Sequence, residues 1–149
     1  MQPFEISWPG STDRITVSSV TARDVDARND ASEYLAAHMG PGYWPAAQHI
    51  AGGPYLSVDQ RVKWAARIGD VFNAGGVLLI ARHTSSNGRV VAVAAAEPVP
   101  GQPYSREVVQ TKGGYEAATV DDVMLAALKR ECALVGLPLA RPRTEWGVV

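Results

Sequence analysis

The chain has 149 residues, the length of one ordinary domain, and carries a formal net charge of -1 at pH 7. Hydrophobic residues make up 46% of it and charged residues 19%, a balance that is typical of a globular protein and excludes a disordered chain. A nearly neutral chain lacks the excess of positive charge that attracts a protein to nucleic acids and anionic membranes, so we expect neither of them as a partner.

The first half of the chain predicts two strands and two helices. Apolar and polar residues alternate from Phe4 to Trp8 and again from Ile15 to Val17, and Pro9-Gly10 lies between them with turn chemistry. The spacing of apolar residues then predicts one helix over residues 22–39 and a second one from residue 57 to the glycines that follow residue 74.

The second half predicts three strands and one helix. Residues 77–80 and 90–96 are apolar on both faces, which is typical of central strands that are covered on each side. Asn87-Gly88 lies between them and indicates a hairpin. We expect a further strand over residues 107–111 and a last helix over residues 121–135.

These elements predict a single α+β (mixed α/β) domain that spans residues 1–149. Its order is β-β-α-α-β-β-β-α, and a central, mostly antiparallel sheet packs against the three helices. The one cysteine, Cys132, excludes an internal disulfide, and the first ten residues lack the charged and apolar segments of a signal peptide. Because no apolar run approaches the roughly 18 residues that cross a bilayer, we expect a cytoplasmic protein without a membrane partner.

The segment from Gly40 to Leu56 is the best candidate for a binding surface. It is rich in glycine, proline and aromatic residues, and it is longer than most connections in a compact domain. Aromatic side chains on such a frame give a large, rigid contact area at low entropic cost. The alternative is a loop that folds back so that its aromatic side chains plug the core. The predicted binding residues are Tyr43, Trp44, His49 and Tyr55.

A glycine-rich turn, Gln110-Thr111-Lys112-Gly113-Gly114-Tyr115, separates the last predicted strand from the last helix. A turn of this kind exposes backbone N–H groups to an anion such as a phosphate, and a lysine in it adds positive charge. The alternative is a plain turn. The predicted cofactor-binding residues are Lys112, Gly113 and Gly114.

Other reactive side chains do not form a recognised catalytic set, so we name no catalytic residue. Cys132 lies on the apolar stripe of the last helix and is expected to be a buried, structural thiol. The histidines lack the spacing of metal ligands, and we predict no metal site. A small enzyme that uses His38, His49 and a carboxylate is a further alternative.

The order of elements from Ile15 onward resembles that of the GCN5-related N-acetyltransferases (the GNAT family). In that family a Gln/Arg-x-x-Gly-x-Gly/Ala turn between a strand and a helix holds the pyrophosphate of acetyl-CoA. The turn at 110–115 resembles the first four positions, whereas Tyr115 replaces the small residue at the last. The resemblance implies acetyl-CoA as the cofactor and an amine substrate whose proton is taken by His83 or Glu97.

Two functions follow from these observations. The first is a non-catalytic binding or assembly domain that holds a protein partner, or a second copy of the chain, through the aromatic segment and needs no cofactor. The tail residues Arg143 and Trp146 are second choices for this contact. Arginine outnumbers lysine eleven to three, which suggests a GC-rich genome and an actinobacterial or phage accessory protein. The alternative is an acyl-CoA-dependent N-acyltransferase or a degenerate relative that still binds the cofactor.

Overall fold

The structure, a computed structural model, describes residues 2–7, 14–38, 58–84, 88–110 and 117–140. The elements are strands β1 (Phe4–Ser7) and β2 (Arg14–Ser19), helices α1 (Val25–His38) and α2 (Val58–Asn73), strands β3 (Val77–His83), β4 (Val90–Pro98) and β5 (Ser105–Gln110), and helix α3 (Ala117–Leu134). This order confirms the predicted fold class.

The strands form one sheet in the order β1-β2-β3-β4-β5, and each pair of neighbours is antiparallel. Successive side chains of a strand point to opposite faces, so the sheet contributes to two separate cores. On one face Leu79 packs in a cluster with Met124 of α3. On the other face Leu78 packs in a cluster with Leu35 of α1 and Ile68 of α2. The molecule is therefore a sheet between two helical layers.

The middle of the sheet is built from small side chains. In β4, Ala92, Ala94, Ala95 and Ala96 are all at most 1% exposed. Ala94 belongs to the cluster under α3 and Ala95 to the cluster under α1 and α2, so helices approach this strand closely from both sides. The expectation of a central strand covered on each face is thereby confirmed.

Local signals set the helix ends. Asp24 precedes α1, and its Oδ1 accepts a hydrogen bond from the Ala27 N–H at 3.0 Å, so the helix begins three residues later than the apolar spacing predicts. Helix α3 ends before Gly136, whose φ of 79° lies in the left-handed region that favours glycine. The Leu137 N–H then reaches back to the Cys132 carbonyl at 3.0 Å, which turns the chain toward β5.

Within the described ranges, no helix combines the length and the apolar character that a bilayer span requires.

Candidate functional site

Most side chains singled out from the sequence lie outside the described residues. This holds for the aromatic segment and for the glycine-rich turn, that is, for Tyr43, Trp44, His49, Tyr55, Lys112, Gly113 and Gly114. Their roles stay predictions. The described residues nevertheless include β5, the strand that precedes the glycine-rich segment, and a candidate site lies beside this strand.

Strand β5 carries an extra residue in its pairing with β4. Ala95 lies opposite Val109 and Ala96 lies opposite Glu107, so Val108 has no counterpart on β4. Val108 and Val109 both pack on the α1/α2 side, although successive residues of a regular strand point to opposite faces. This arrangement is a β-bulge, a feature that is common at sheet edges and beside active sites.

The other edge of β5 meets the chain that follows α3. The Ser105 N–H donates to the Pro138 carbonyl at 2.9 Å, and the Ala140 N–H donates to the Ser105 carbonyl at 2.8 Å. Leu139 thereby forms a parallel bridge with Ser105, the first residue of β5. The described contact on this edge lies at the start of the strand, three residues before the bulged Val108.

A cleft of about 410 Å³ lies between α2 and the bulge. Its lining consists of Lys63, Trp64, Ala66, Arg67 and Asp70 from α2 and Val108 from β5. The helical residues recur three to four positions apart and so share one face of α2. Trp64 and Val108 are partly buried against the core below, which gives the cleft an apolar floor with charged side chains around it.

A buried carboxylate joins the elements around this cleft. Glu97, the penultimate residue of β4, is 7% exposed. Both guanidinium nitrogens Nη1 and Nη2 of Arg67 donate to its two oxygens at 3.0 Å. Arg106 of β5 donates to Oε1 through Nη2 at 2.9 Å and through Nε at 3.3 Å. Two arginines therefore enclose one carboxylate and connect α2, β4 and β5.

These contacts weaken the case for Glu97 as a general base. The hydrogen bonds from Arg67, with a further contribution from Arg106, hold the pKa of Glu97 below its ordinary value, although burial acts in the opposite direction. A carboxylate with a lowered pKa and two bound guanidinium groups is a poor proton acceptor at neutral pH. Its hydrogen bonds with the two arginines instead hold α2 against the edge of the sheet.

The other proposed base, His83, lies far from Glu97. His83 pairs with Ile15, which belongs to the cluster under α3, so the His83 side chain lies on the α3 face of the sheet. Glu97 contacts Arg67 of α2 and therefore lies on the opposite face. The pairing of Val77 with Ala96 places Glu97 near the start of β3, whereas His83 ends that strand. Six residues of strand correspond to about 20 Å. The structure therefore does not bring the two candidates to one site.

Cys132 is a buried free thiol. Burial, as the largest cause, raises its pKa to about 11, although a hydrogen bond with Ser105 acts in the opposite direction. The burial confirms the prediction of a buried thiol, and a protonated, enclosed thiol is a poor nucleophile. Within the described residues, no group of three or more His, Cys, Asp or Glu side chains is placed to hold a metal ion.

Comparison with solved structures identifies the architecture. An acetyltransferase of the GNAT family from Staphylococcus aureus Mu50 superposes with a TM-score of 0.52 over 83% of this chain and 69% of its own, at 11% sequence identity. This chain shares the GNAT fold. Because the sequence identity is low, the likeness concerns the fold alone. No protein-family model matches the sequence, and no curated protein matches it either. The predicted resemblance to this fold is confirmed.

The cleft and its charged surroundings were not predicted from the sequence. The pattern of α2 indicates only the ordinary surface of an amphipathic helix at Lys63, Trp64 and Arg67. One signal was present: Glu97 follows directly on the apolar run 90–96, where a charged residue needs a partner if the strand continues into the core. Its partner on α2 lies 30 residues away along the chain, a separation that no local pattern reveals.

Proposed function

We propose that this chain binds an acyl-CoA beside β5 and serves as an acyl-CoA-dependent N-acyltransferase. The observation that carries the proposal is the irregular outer strand: β5 has a bulge at Val108 and a described parallel contact at Ser105. A bound acyl-CoA would supply an acyl group activated as a thioester, which an amine acceptor converts to an amide. The shared GNAT fold supports this function by analogy.

The edge of β5 suits the elongated arm of such a ligand. A bulged residue frees backbone groups from the regular ladder, and an extended molecule with amide groups can hydrogen-bond to an exposed strand edge. At the far end of the strand, residues 111–116 lead into α3. The N-terminus of a helix favours negative charge, so we assign Lys112, Gly113 and Gly114 to the phosphate groups.

The lysines of the sequence allow a matched test by calorimetry. Lys112 belongs to the proposed phosphate turn, whereas Lys129 is an exposed residue in the second half of α3. We expect Lys112→Gln to weaken acetyl-CoA binding about tenfold, because it removes one charge-assisted hydrogen bond. Lys129→Gln should leave the affinity unchanged. Equal affinities for wild type and both variants, or no acetyl-CoA binding to the wild type, would contradict the proposal.

A related second function is acyl-CoA binding without transfer. The observation in its favour is the state of Glu97, whose two arginine contacts suit it to structure rather than to proton transfer. Formation of free CoA from acetyl-CoA in the presence of an amine panel separates the two functions. Turnover supports the transferase, and binding without turnover supports the cofactor-binding relative.

A non-catalytic assembly domain that uses Tyr43, Trp44, His49 and Tyr55 stays a prediction. These residues lie outside the described ranges, and its test is the loss of a captured partner on Trp44→Ala at an unchanged melting temperature.

A further inference from the structure

The cleft between α2 and β5 has the size and lining of a small-molecule site. Its volume of about 410 Å³ falls in the usual range of ligand pockets, about 300–1,000 Å³. Trp64 and Val108 provide an aromatic and an aliphatic surface that packs against the core. An apolar or aromatic group of a ligand can therefore be held on the floor of this cleft.

The charges around the cleft favour an anion. The group contains three cations, Lys63, Arg67 and Arg106, and two carboxylates, Asp70 and Glu97, which leaves an excess of one positive charge. The Glu97 charge is enclosed by the two guanidinium groups and is 7% exposed, so it does not present itself to the cleft. The exposed ammonium group of Lys63 does.

The positive charge is concentrated at one end. Lys63 and Arg67 are one helical turn apart, about 6 Å along the axis. Because both Nη atoms of Arg67 bind Glu97, the Lys63 ammonium group is the one that would meet an anionic group directly. Asp70 lies about 4.5 Å farther along the helix beyond Arg67. An anion is therefore favoured at the Lys63 end, and a second anion is disfavoured at the Asp70 end.

We propose that the cleft lined by Lys63, Trp64, Arg67 and Val108 binds a small molecule in which a single carboxylate is attached to an apolar or aromatic body. The identification of this molecule as the acyl acceptor rests on the proposed function, because the cleft adjoins the bulge of β5 beside which we place the acyl-CoA. The acceptor would then be an amine that also carries a carboxylate.

Three related probes separate the contributions of charge and of apolar surface. 3-Phenylpropionate carries the carboxylate, phenethylamine carries an ammonium group instead, and phenylalanine carries both. Each is titrated into the ¹⁵N-labelled full chain, and the indole N–H resonance of Trp64, assigned with Trp64→Phe, is followed. We expect saturable shifts with 3-phenylpropionate and phenylalanine, and binding of phenethylamine at least about tenfold weaker.

Two lysine variants test the location. Lys63→Gln should weaken 3-phenylpropionate binding by about fivefold, the upper range for an exposed ion pair, and Lys129→Gln should leave it unchanged. Both residues are exposed, so neither substitution disturbs the core. The inference is overturned if no probe shifts the Trp64 resonance, if phenethylamine binds as tightly as 3-phenylpropionate, or if the two lysine variants behave alike.

Acetyl-CoA calorimetry on the same samples keeps this inference separate from the proposed function. Probe binding without acetyl-CoA binding would support the cleft and contradict the acyltransferase. Acetyl-CoA binding without probe binding would support the acyltransferase and contradict the cleft.

Discussion

The two faces of the sheet differ most where they approach β5. Under α3 the packing is apolar, and Met124, Leu128 and Cys132 are each at most 1% exposed. Under α2 the same edge contains the Glu97 carboxylate, its two arginines and a cleft. Helix α3 thus presents a buried apolar stripe to its face near β5, whereas the pair α1 and α2 leaves an edge where charged groups meet apolar surface. We therefore assign stability to the α3 face and ligand binding to the α2 edge.

The largest expected effect tests the α3 face. Met124→Ala should lower the free energy of unfolding by about 2–5 kcal/mol, because it removes a side chain that is 1% exposed and leaves a cavity. Leu134→Ala on the same helix should change it by less than about 0.5 kcal/mol, because Leu134 is 77% exposed. Urea denaturation measures both, and equal losses would contradict the account of this face.

A smaller effect is expected at the α2 edge. Arg67→Met removes the two-point contact with a carboxylate whose side chain is 10% exposed, and it should cost about 1–3 kcal/mol of unfolding free energy. Arg106→Met should cost less than about 1 kcal/mol, because the Arg106 side chain is 52% exposed and solvent screens its contribution. If Arg106→Met were the more damaging variant, our ranking of the two contacts would be wrong.

The pH dependence of stability provides a further test of the Glu97 contacts at the α2 edge. The folded pKa of Glu97 is lowered from 4.5, chiefly by the hydrogen bonds from Arg67, so the stabilisation is fully present about one pH unit above 4.5 and is lost as the pH falls through the folded value. The stability difference between wild type and Glu97→Gln should be constant from pH 7 to about pH 5.5 and then shrink on further acidification. Chemical denaturation at each pH measures it, and a difference that grows in acid would contradict the assignment.

The smallest effect is expected at Cys132, which lies buried between α3 and the sheet. Its pKa of about 11 and its burial predict almost no reaction with a chromogenic disulfide reagent at pH 8 in the folded state. The same thiol should react stoichiometrically in 6 M guanidinium chloride. Rapid reaction of the native protein would show that α3 does not cover its face of the sheet.

Patterns within one element were sufficient to predict most of the fold. The apolar run 90–96 correctly indicated a strand with two covered faces. The last helix was expected to end at residue 135, and it ends at Leu134. Spacing was less informative about which helical residues are buried, since Val62 fits the apolar spacing of α2 but is 62% exposed. Spacing identifies an apolar stripe, whereas its width depends on what packs against it.

The site required information that no single element contains. The bulge at Val108 is a property of the register between β4 and β5, and the sequence of β5 alone does not specify it. The Arg67–Glu97 contact joins residues 30 positions apart. Local composition predicted a phosphate turn and an aromatic segment. It could not predict the cleft, because the cleft lies between segments that are distant in the sequence.

Binding of acyl-CoA along β5 can be mapped by the amide chemical shifts of the ¹⁵N-labelled chain with saturating acetyl-CoA. We predict the largest shifts at Val108 and Val109 and in the first turn of α3, with little change in β1 at the opposite edge of the sheet. Shifts confined to residues remote from β5, or none at all, would contradict the claim.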